Sequence, residues 1–299
     1  MTGSTTELQA AAEDIPAAGG RTKGLLRQSL AYRRTWVGIA LTGFVVLLAI
    51  FGPLFAPYST TEFVGQPFYA HTAHALLGTD NLGRDVLSRF LGGGRSVLLL
   101  AALSTILGVG VGVIVALVAG YTRSWLDELL MRVSDVVLAF PQIVLALLFL
   151  SVWGPHPWVI VLTVGLSHAP RTARIIRAAV LDVAGRDYVR AAEALGLRRW
   201  LVRWDDLLPN VTGPLMVETG LRFTYSIGLV AGLGFLGLGL QPPAADWGLM
   251  INENRIGLVV QPWAVLLPVV GIGLIAVGMN LISDGIAQAS AGLDREVEE

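Results

Sequence analysis

The sequence predicts an all-α, polytopic membrane protein with six transmembrane helices. Three observations predict it. Of 299 residues, 54% are hydrophobic and only 14% charged, with a mean hydropathy of +0.66, too apolar for a water-soluble domain. Apolar runs close to 20 residues long recur along the chain, each able to cross roughly 30 Å of hydrocarbon. The basic residues are also unevenly placed. With six spans and both ends on the inner side, 17 of the 21 lie inside: five in 21–34, Arg123 and Arg132, eight from Arg171 to Arg203, Arg222 and Arg295. Only Arg84, Arg89, Arg95 and Arg255 lie outside, and the positive-inside rule therefore sets the orientation, with both termini cytoplasmic.

Composition also excludes several chemistries. With no cysteine there is no disulfide framework, thiolate metal site or cysteine nucleophile. The four histidines, His71, His74, His156 and His168, lack metal-ligand spacing. The one lysine, Lys23, follows no glycine-rich loop, so the chain has no P-loop and does not hold ATP in that manner. No paired acids or nucleophile–base set lies within the spans. No catalytic residue, metal, cofactor or nucleic-acid partner is expected, and membrane lipid is.

Residues 1–33 read as a cytosolic tail with a basic segment before the first span, 34–290 as the membrane domain, and 291–299 as a second cytosolic tail. The first span, 36–55, ends in Gly-Pro-Leu-Phe-Ala-Pro; the alternative of a cleaved signal peptide would want a shorter apolar core and a small-residue cleavage site. A polar loop, 56–95, carries HALLGTDNLGRDVLSRFLGGGR, in which Asp85 can cap a short interfacial helix with Val86, Leu87 and Phe90 on the membrane surface. In the second span, 97–119, Gly108, Gly112, Ala116 and Gly120 form a small-residue stripe for close helix packing.

The third span, 133–152, is bent by Pro141, and Asp135 near its inner end either marks a transport path or pairs with Arg132. The fourth, 158–178, passes Pro170 and continues through Arg171, Arg174 and Arg177 into the cytosol. The fifth, 215–240, holds Glu218 and Arg222 four apart on one face, together with Ser226 and many glycines. It is read either as lining a path or as packing. An outer loop, 241–262, precedes the sixth span, 263–282.

Between spans four and five lies the stretch 188–209, YVRAAEALGLRRWLVRWDDLLP. Leu197, Trp200, Leu201, Trp204, Leu207 and Leu208 fall on one helical stripe, with arginines and aspartates on the other side. Gly196 allows a turn before this stripe and Pro209 stops it. The expected form is helix, glycine turn, short amphipathic helix, in the cytosol.

This layout resembles the cytoplasmic coupling loop of ABC importer permeases, whose motif runs Glu-Ala-Ala, three residues, Gly, nine residues, an aliphatic, one residue, Leu-Pro. Ala191, Ala192, Gly196, Leu208 and Pro209 match it, while Arg190 stands in place of the acid and Asp206 in place of the aliphatic. LGTDNLGRDVLSR at 77–89 and GLGLQPP at 237–243 followed by Trp247-Gly248 resemble the dipeptide/oligopeptide/nickel group of such permeases, in the second of its two partner types. The resemblance implies the type I importer fold, an inner-membrane location, a second homologous permease, ATP-binding subunits and an extracytoplasmic solute-binding protein. ATPase coupling is thereby expected at Arg190, Ala191, Ala192, Glu193, Gly196, Leu197, Trp200, Leu201, Leu208 and Pro209. A translocation path is expected at Asp135, Glu218, Arg222 and Ser226, and binding-protein contact at Asp80, Arg84, Gln241 and Trp247. The solute would be a peptide, with nickel or another small solute as the alternative. A self-contained secondary transporter, the rival class, would place charges deep in the spans and show internal repeats.

Overall fold

In the computed structural model, residues 24, 27–71, 75–122, 125–187, 189, 194 and 202–298 are described. Helices α1 (Arg33–Phe51) and α2 (Val86–Thr122) lead into α3 (Trp125–Ala139) and α4 (Gln142–Trp153). Then come α5 (Pro157–Ala184), α6 (Thr212–Phe235), the short α7 (Trp247–Asn254) and α8 (Trp263–Glu298). Among the described residues there are no strands, and only two isolated bridges, Phe63 to Arg84 and Thr79 to Asp85, tie the outer loop.

Each boundary has a local cause. Helix α1 gives way to a 3₁₀ turn at Gly52–Leu54, where Pro53 removes a donor. Asp85 does cap α2, accepting from the Ser88 N–H at 2.8 Å and its hydroxyl at 2.6 Å. The helix it caps is not a short interfacial one, however. It runs unbroken for 37 residues, about 55 Å at 1.5 Å per residue, into the second span. Val86 and Phe90 are buried there instead of lying on a membrane surface. At Pro141 the chain bends by 85° between α3 and α4. Pro141 lacks an N–H and excludes Phe140 from helical conformation, so the third span is broken rather than merely bent. Gly154, at φ +83°, makes the turn into α5, whose Pro157 sits in the first turn, where proline costs no hydrogen bond.

Helix α6 stops at Phe235, five residues before the expected end, because Gly237 adopts φ +82° and turns the chain. The outer loop 241–262 contains α7, which was not expected. Helix α8 continues well past residue 282.

Arg33–Leu54, Val86–Tyr121 and Trp263–Ser290 are long and apolar enough to cross a membrane, and the broken pair α3–α4 qualifies as a fourth span. Helices α5 and α6 have 28 and 24 residues, about 42 and 36 Å, but carry arginines and an ion pair that lower their apolarity. Only 22% of the first span's apolar window and 28% of the last's are buried by the chain itself, which leaves broad apolar faces for lipid or another subunit.

Small residues decide how the helices pack. The stripe on α2 meets α5 as expected: a Cβ on Gly108 would lie 2.4 Å from the Gly165 carbonyl oxygen, one on Gly112 2.7 Å from Thr172 Cβ, and one on Gly120 2.7 Å from Val180. Gly38 and Gly278 bring α1 against α8 in the same way, and Gly220 brings α6 against Ser283. One end of the core gathers around Trp247, Leu150, Ile160, Ile227 and Ile275, and the other around Val113, Leu117, Ile176 and Val180.

Candidate functional site

Three polar constructions stand out in this apolar frame. The outermost is built on Asp80. Its Oδ1 accepts from the backbone N–H groups of Leu82 and Arg84, both at 2.9 Å, and its Oδ2 accepts from Arg84 Nε at 2.7 Å and Arg89 Nη1 at 2.5 Å. Glu253 on α7 completes the cluster, 3.0 Å from Arg84 and 2.6 Å from Arg89. Asp80 and Arg89 are wholly buried and Arg84 nearly so. Two acids and two guanidiniums neutralise one another, the condition for burying charge at all. The cluster clasps the outer loop to α7, helped by Asn254, whose Oδ1 accepts from the Asn81 N–H at 2.9 Å.

Beside it, Trp247 stacks on Phe90 at 5.3 Å and donates its indole N–H to the Phe90 carbonyl at 2.9 Å. Gly93, Gly94 and Gly271 leave room for the ring; a Cβ on any of them would come within about 3.0 Å of it. Asp246 caps α7 through the Leu249 N–H at 3.1 Å and accepts from the Ser96 hydroxyl at 2.8 Å. Burial pushes the Asp246 carboxyl above the usual carboxylate range, against the lowering effect of those hydrogen bonds.

Asp80, Arg84 and Trp247, expected to face a binding protein, are therefore interior. Of that set only Gln241 is exposed, with its amide donating to the Gly237 and Gly239 carbonyls.

The second construction lies between α2, α5 and α6. Arg222 and Glu218, one turn apart on α6, sit 2.9 Å apart and are both buried, as the i, i+4 spacing predicted. Thr172 on α5 donates to Glu218 at 3.1 Å, and the Arg222 guanidinium lies 4.9 Å over the Tyr225 ring. Ser226, also buried, accepts from Thr105 on α2 at 3.0 Å. Glu218, Arg222 and Ser226 are thus buried among the chain's own helices, where neighbouring groups meet them. Asp135 is the expected path residue that remains exposed, and its partner is Arg174 on α5, not Arg132. Arg132 turns instead to Glu128, one helical turn back, at 2.6 Å.

The third construction is the inner base. Val189, Val202 and Leu207 are buried against Val113, Leu117, Ile176 and Val180 towards the C-terminal ends of α2 and α5. The Arg203 guanidinium lies 5.2 Å over the Tyr121 ring at the end of α2. Val202–Leu207 forms a π-helical turn that passes into Leu208–Asn210. Pro209 does not stop this helix; it sits in its first turn, and the chain turns at Val211. Leu208 is partly buried beside the base. Arg190, Ala191, Ala192, Glu193, Gly196, Leu197, Trp200 and Leu201 lie outside the described residues, as does His74.

The clasp drew on two residues that were not singled out from sequence. Arg89 lay within the recognised LGTDNLGRDVLSR stretch; Glu253, 164 positions away from it, carried no local signal.

Residues 108–291, more than half of the chain, match the family described as binding-protein-dependent transport system inner membrane component. The chain belongs to this family. The matched segment of this transport component takes in the Glu218–Arg222 pair and the whole 188–209 stretch; the Asp80–Arg84–Arg89 part of the clasp precedes it. The component is 33% identical over 254 residues to the dipeptide transport system permease protein DppC of Alkalihalophilus pseudofirmus, covering 85% of this chain and 84% of that protein. It is 35% identical over 270 residues to the di/tripeptide transport system permease protein DppC of Pseudomonas aeruginosa, covering 88% and 89%. Against the glutathione transport system permease protein GsiD of Pectobacterium atrosepticum it is 33% identical over 267 residues, covering 86% and 87%.

Proposed function

We propose that this chain is a transmembrane subunit of an ATP-driven peptide importer. It forms half of the translocation path and takes peptide from an extracytoplasmic solute-binding protein. The observation that carries this reading is the likeness, over 85–88% of the chain, to permeases named for dipeptide, di/tripeptide and glutathione transport. A second, homologous permease forms the other half of the path, and ATP-binding subunits dock on the inner side. The arginine distribution supports six spans, with α5 and α6 as two of them, and cytoplasmic termini.

The mechanism follows from how the inner base is built. The 188–209 loop receives the ATPase, and its buried residues Val189, Val202 and Leu207 pack it against α2 and α5. Movement of the docked ATPases is thereby passed to the helices as a lever. On the outer side, the neutral Asp80–Arg84–Arg89–Glu253 clasp holds loop and α7 as one rigid face, with Gln241 on its surface. A binding protein docking on that face transmits its opening to α2 through the same clasp.

The test is purification of the chain from native membranes in mild detergent, with partners identified and ATP hydrolysis assayed. A second permease and an ATPase should co-purify, and hydrolysis should rise with a dipeptide-loaded binding protein. Stimulation by nickel-loaded protein instead would reassign the solute. A chain that purifies alone and moves solute in liposomes without ATP would overturn the importer.

A further inference from the structure

The turn between α7 and α8, which begins as the 3₁₀ turn Arg255–Gly257, has two unlike sides. One side is built into the protein. A Cβ on Gly257 would run into the Phe68 ring, so only glycine allows this approach. Gln261, buried, donates its amide to the Tyr69 and Leu77 carbonyls at 3.2 and 2.8 Å, and its backbone N–H to the Gly257 carbonyl at 2.7 Å. The other side is apolar and bare. Among the described residues no large apolar side chain is more exposed than Val259 at 95% and Ile256 at 81%, and Val260 beside them stands at 66%. The contacts behind the tip fix it in place, so the chain does not cover these side chains by folding back.

The height of this tip follows from helix register. Helices α1 and α8 run antiparallel, with Thr35 against Gly285, Gly38 against Ile282 and Thr42 against Gly278. Continued at that register, Leu54 comes level with Leu266. The apolar spans Arg33–Leu54 and Trp263–Ser290 therefore end at one level. Leu54, Phe55, Trp263 and Leu266, all exposed, mark it, and tryptophan is favoured where hydrocarbon meets headgroups. Val260 stands three residues before Trp263, so at most about 11 Å of chain separates it from the end of the span. The segment 254–263 carries no acid that anionic headgroups would repel.

We propose that Ile256, Val259 and Val260 insert into the phospholipid leaflet at this end of the bundle, making the 255–260 turn a membrane anchor outside the spans. Continuity favours lipid over a protein partner. The tip runs on into the exposed Trp263, Leu266 and Val270 of a span whose apolar window is only 28% buried by the chain. The chemistry agrees. Ile256 to Val260 reads Ile-Gly-Leu-Val-Val and offers no side-chain donor or acceptor, whereas protein interfaces pair polar groups about once per 100–200 Å². Acyl chains ask for no such pairing, only for apolar area. Since α7 also carries Glu253, the anchor fixes the height of the Asp80–Arg84–Arg89–Glu253 clasp against the bilayer. Insertion requires that α8 spans the membrane and is independent of the solute carried.

The chain has no cysteine, so a single introduced thiol is a specific handle. Val259→Cys, carrying an environment-sensitive nitrobenzoxadiazole label, is placed in the complete complex in nanodiscs of phosphatidylethanolamine and phosphatidylglycerol. The wild-type complex taken through the same labelling gives the background. Emission should shift to the blue, lose most of its intensity to lipids spin-labelled just below the headgroup, and be unchanged by iodide in the buffer. Quenching by iodide with none by the spin-labelled lipid would put the tip in water and overturn the anchor. Protection from both quenchers would put it against another protein subunit and overturn the anchor equally. Should that variant not assemble, Val260→Cys gives the same readout from the neighbouring exposed position.

Discussion

Asp80 shows how one carboxylate organises the outer face. It holds two backbone N–H groups and two guanidiniums, all at or below 2.9 Å, without contact with solvent. Replacing it with alanine leaves Glu253 as the one acid that Arg84 and Arg89 share among the described residues. Asp80→Ala should therefore destabilise the chain by about 3–5 kcal/mol, the usual result of removing one partner from a buried ion pair. Thermal melting in detergent would measure this, and a loss below about 1 kcal/mol would mean that the cluster behaves as a solvated surface pair. Asp246 makes a different prediction. Its carboxyl titrates higher folded than unfolded because burial disfavours the charge. Between the two values the folded chain binds more protons, so stability falls as pH rises through that interval and levels off above it. Asp246→Asn keeps an acceptor for Leu249 and removes the titration, so its melting temperature should lose this acid-side slope. Parallel melting curves for both proteins across pH would refute the assignment.

At the scale of elements, glycine does two separate jobs in α2. Gly108 and Gly112 are seats for α5, where added carbon meets backbone oxygen or Thr172 at 2.4–2.7 Å. Gly110, between them, has nothing within 4 Å of its missing Cβ. Gly108→Val should push the two helices apart and sharply reduce the folded yield. Gly110→Ala should be neutral or stabilising by up to about 1 kcal/mol, because only the helix-propensity gain remains. Measured by melting temperature and monodisperse yield, similar behaviour of the two variants would contradict the packing described. The break at Pro141 belongs to this scale too. Half-helices α3 and α4 leave a gap that α5 lines with Ser167 and Arg171, so the cavity is a product of one missing N–H and its neighbour's restricted backbone.

For the whole molecule, the outer arginines bear on orientation. Arg84 and Arg89 are neutralised in the clasp, and Arg95 donates to the carbonyls of Ala49 and Ile50 at the end of α1, where the helix dipole favours a cation. Three of the four basic residues assigned outside are thus held by local partners, which is consistent with their standing apart from the positive-inside pattern. Coupling is also a property of the whole. If the 188–209 loop is a lever, Gly196→Pro should uncouple ATP hydrolysis from uptake while the spans remain folded. Uptake and hydrolysis assayed together in the reconstituted complex would show this, and normal transport by the variant would exclude the lever.

The local pattern of the sequence determined the helical membrane class, a bend at Pro141 though not its depth, the cap at Asp85, the α2 packing stripe and the Glu218–Arg222 pair. Each depends on residues within about one or two helical turns, and periodicity and proline chemistry act at that range. The tertiary structure decided the rest. Nothing near Arg84 or Arg89 announces Glu253, which joins them from 169 and 164 positions away. Trp247, expected at a binding-protein contact, is enclosed by Gly93, Gly94 and Gly271 from α2 and α8. Asp135 had a plausible partner in Arg132 three residues back, yet the 85° break and the course of α5 bring Arg174 to it from 39 positions away. Burial and long-range charge pairing depend on which helices meet, and that is settled only when the whole bundle closes.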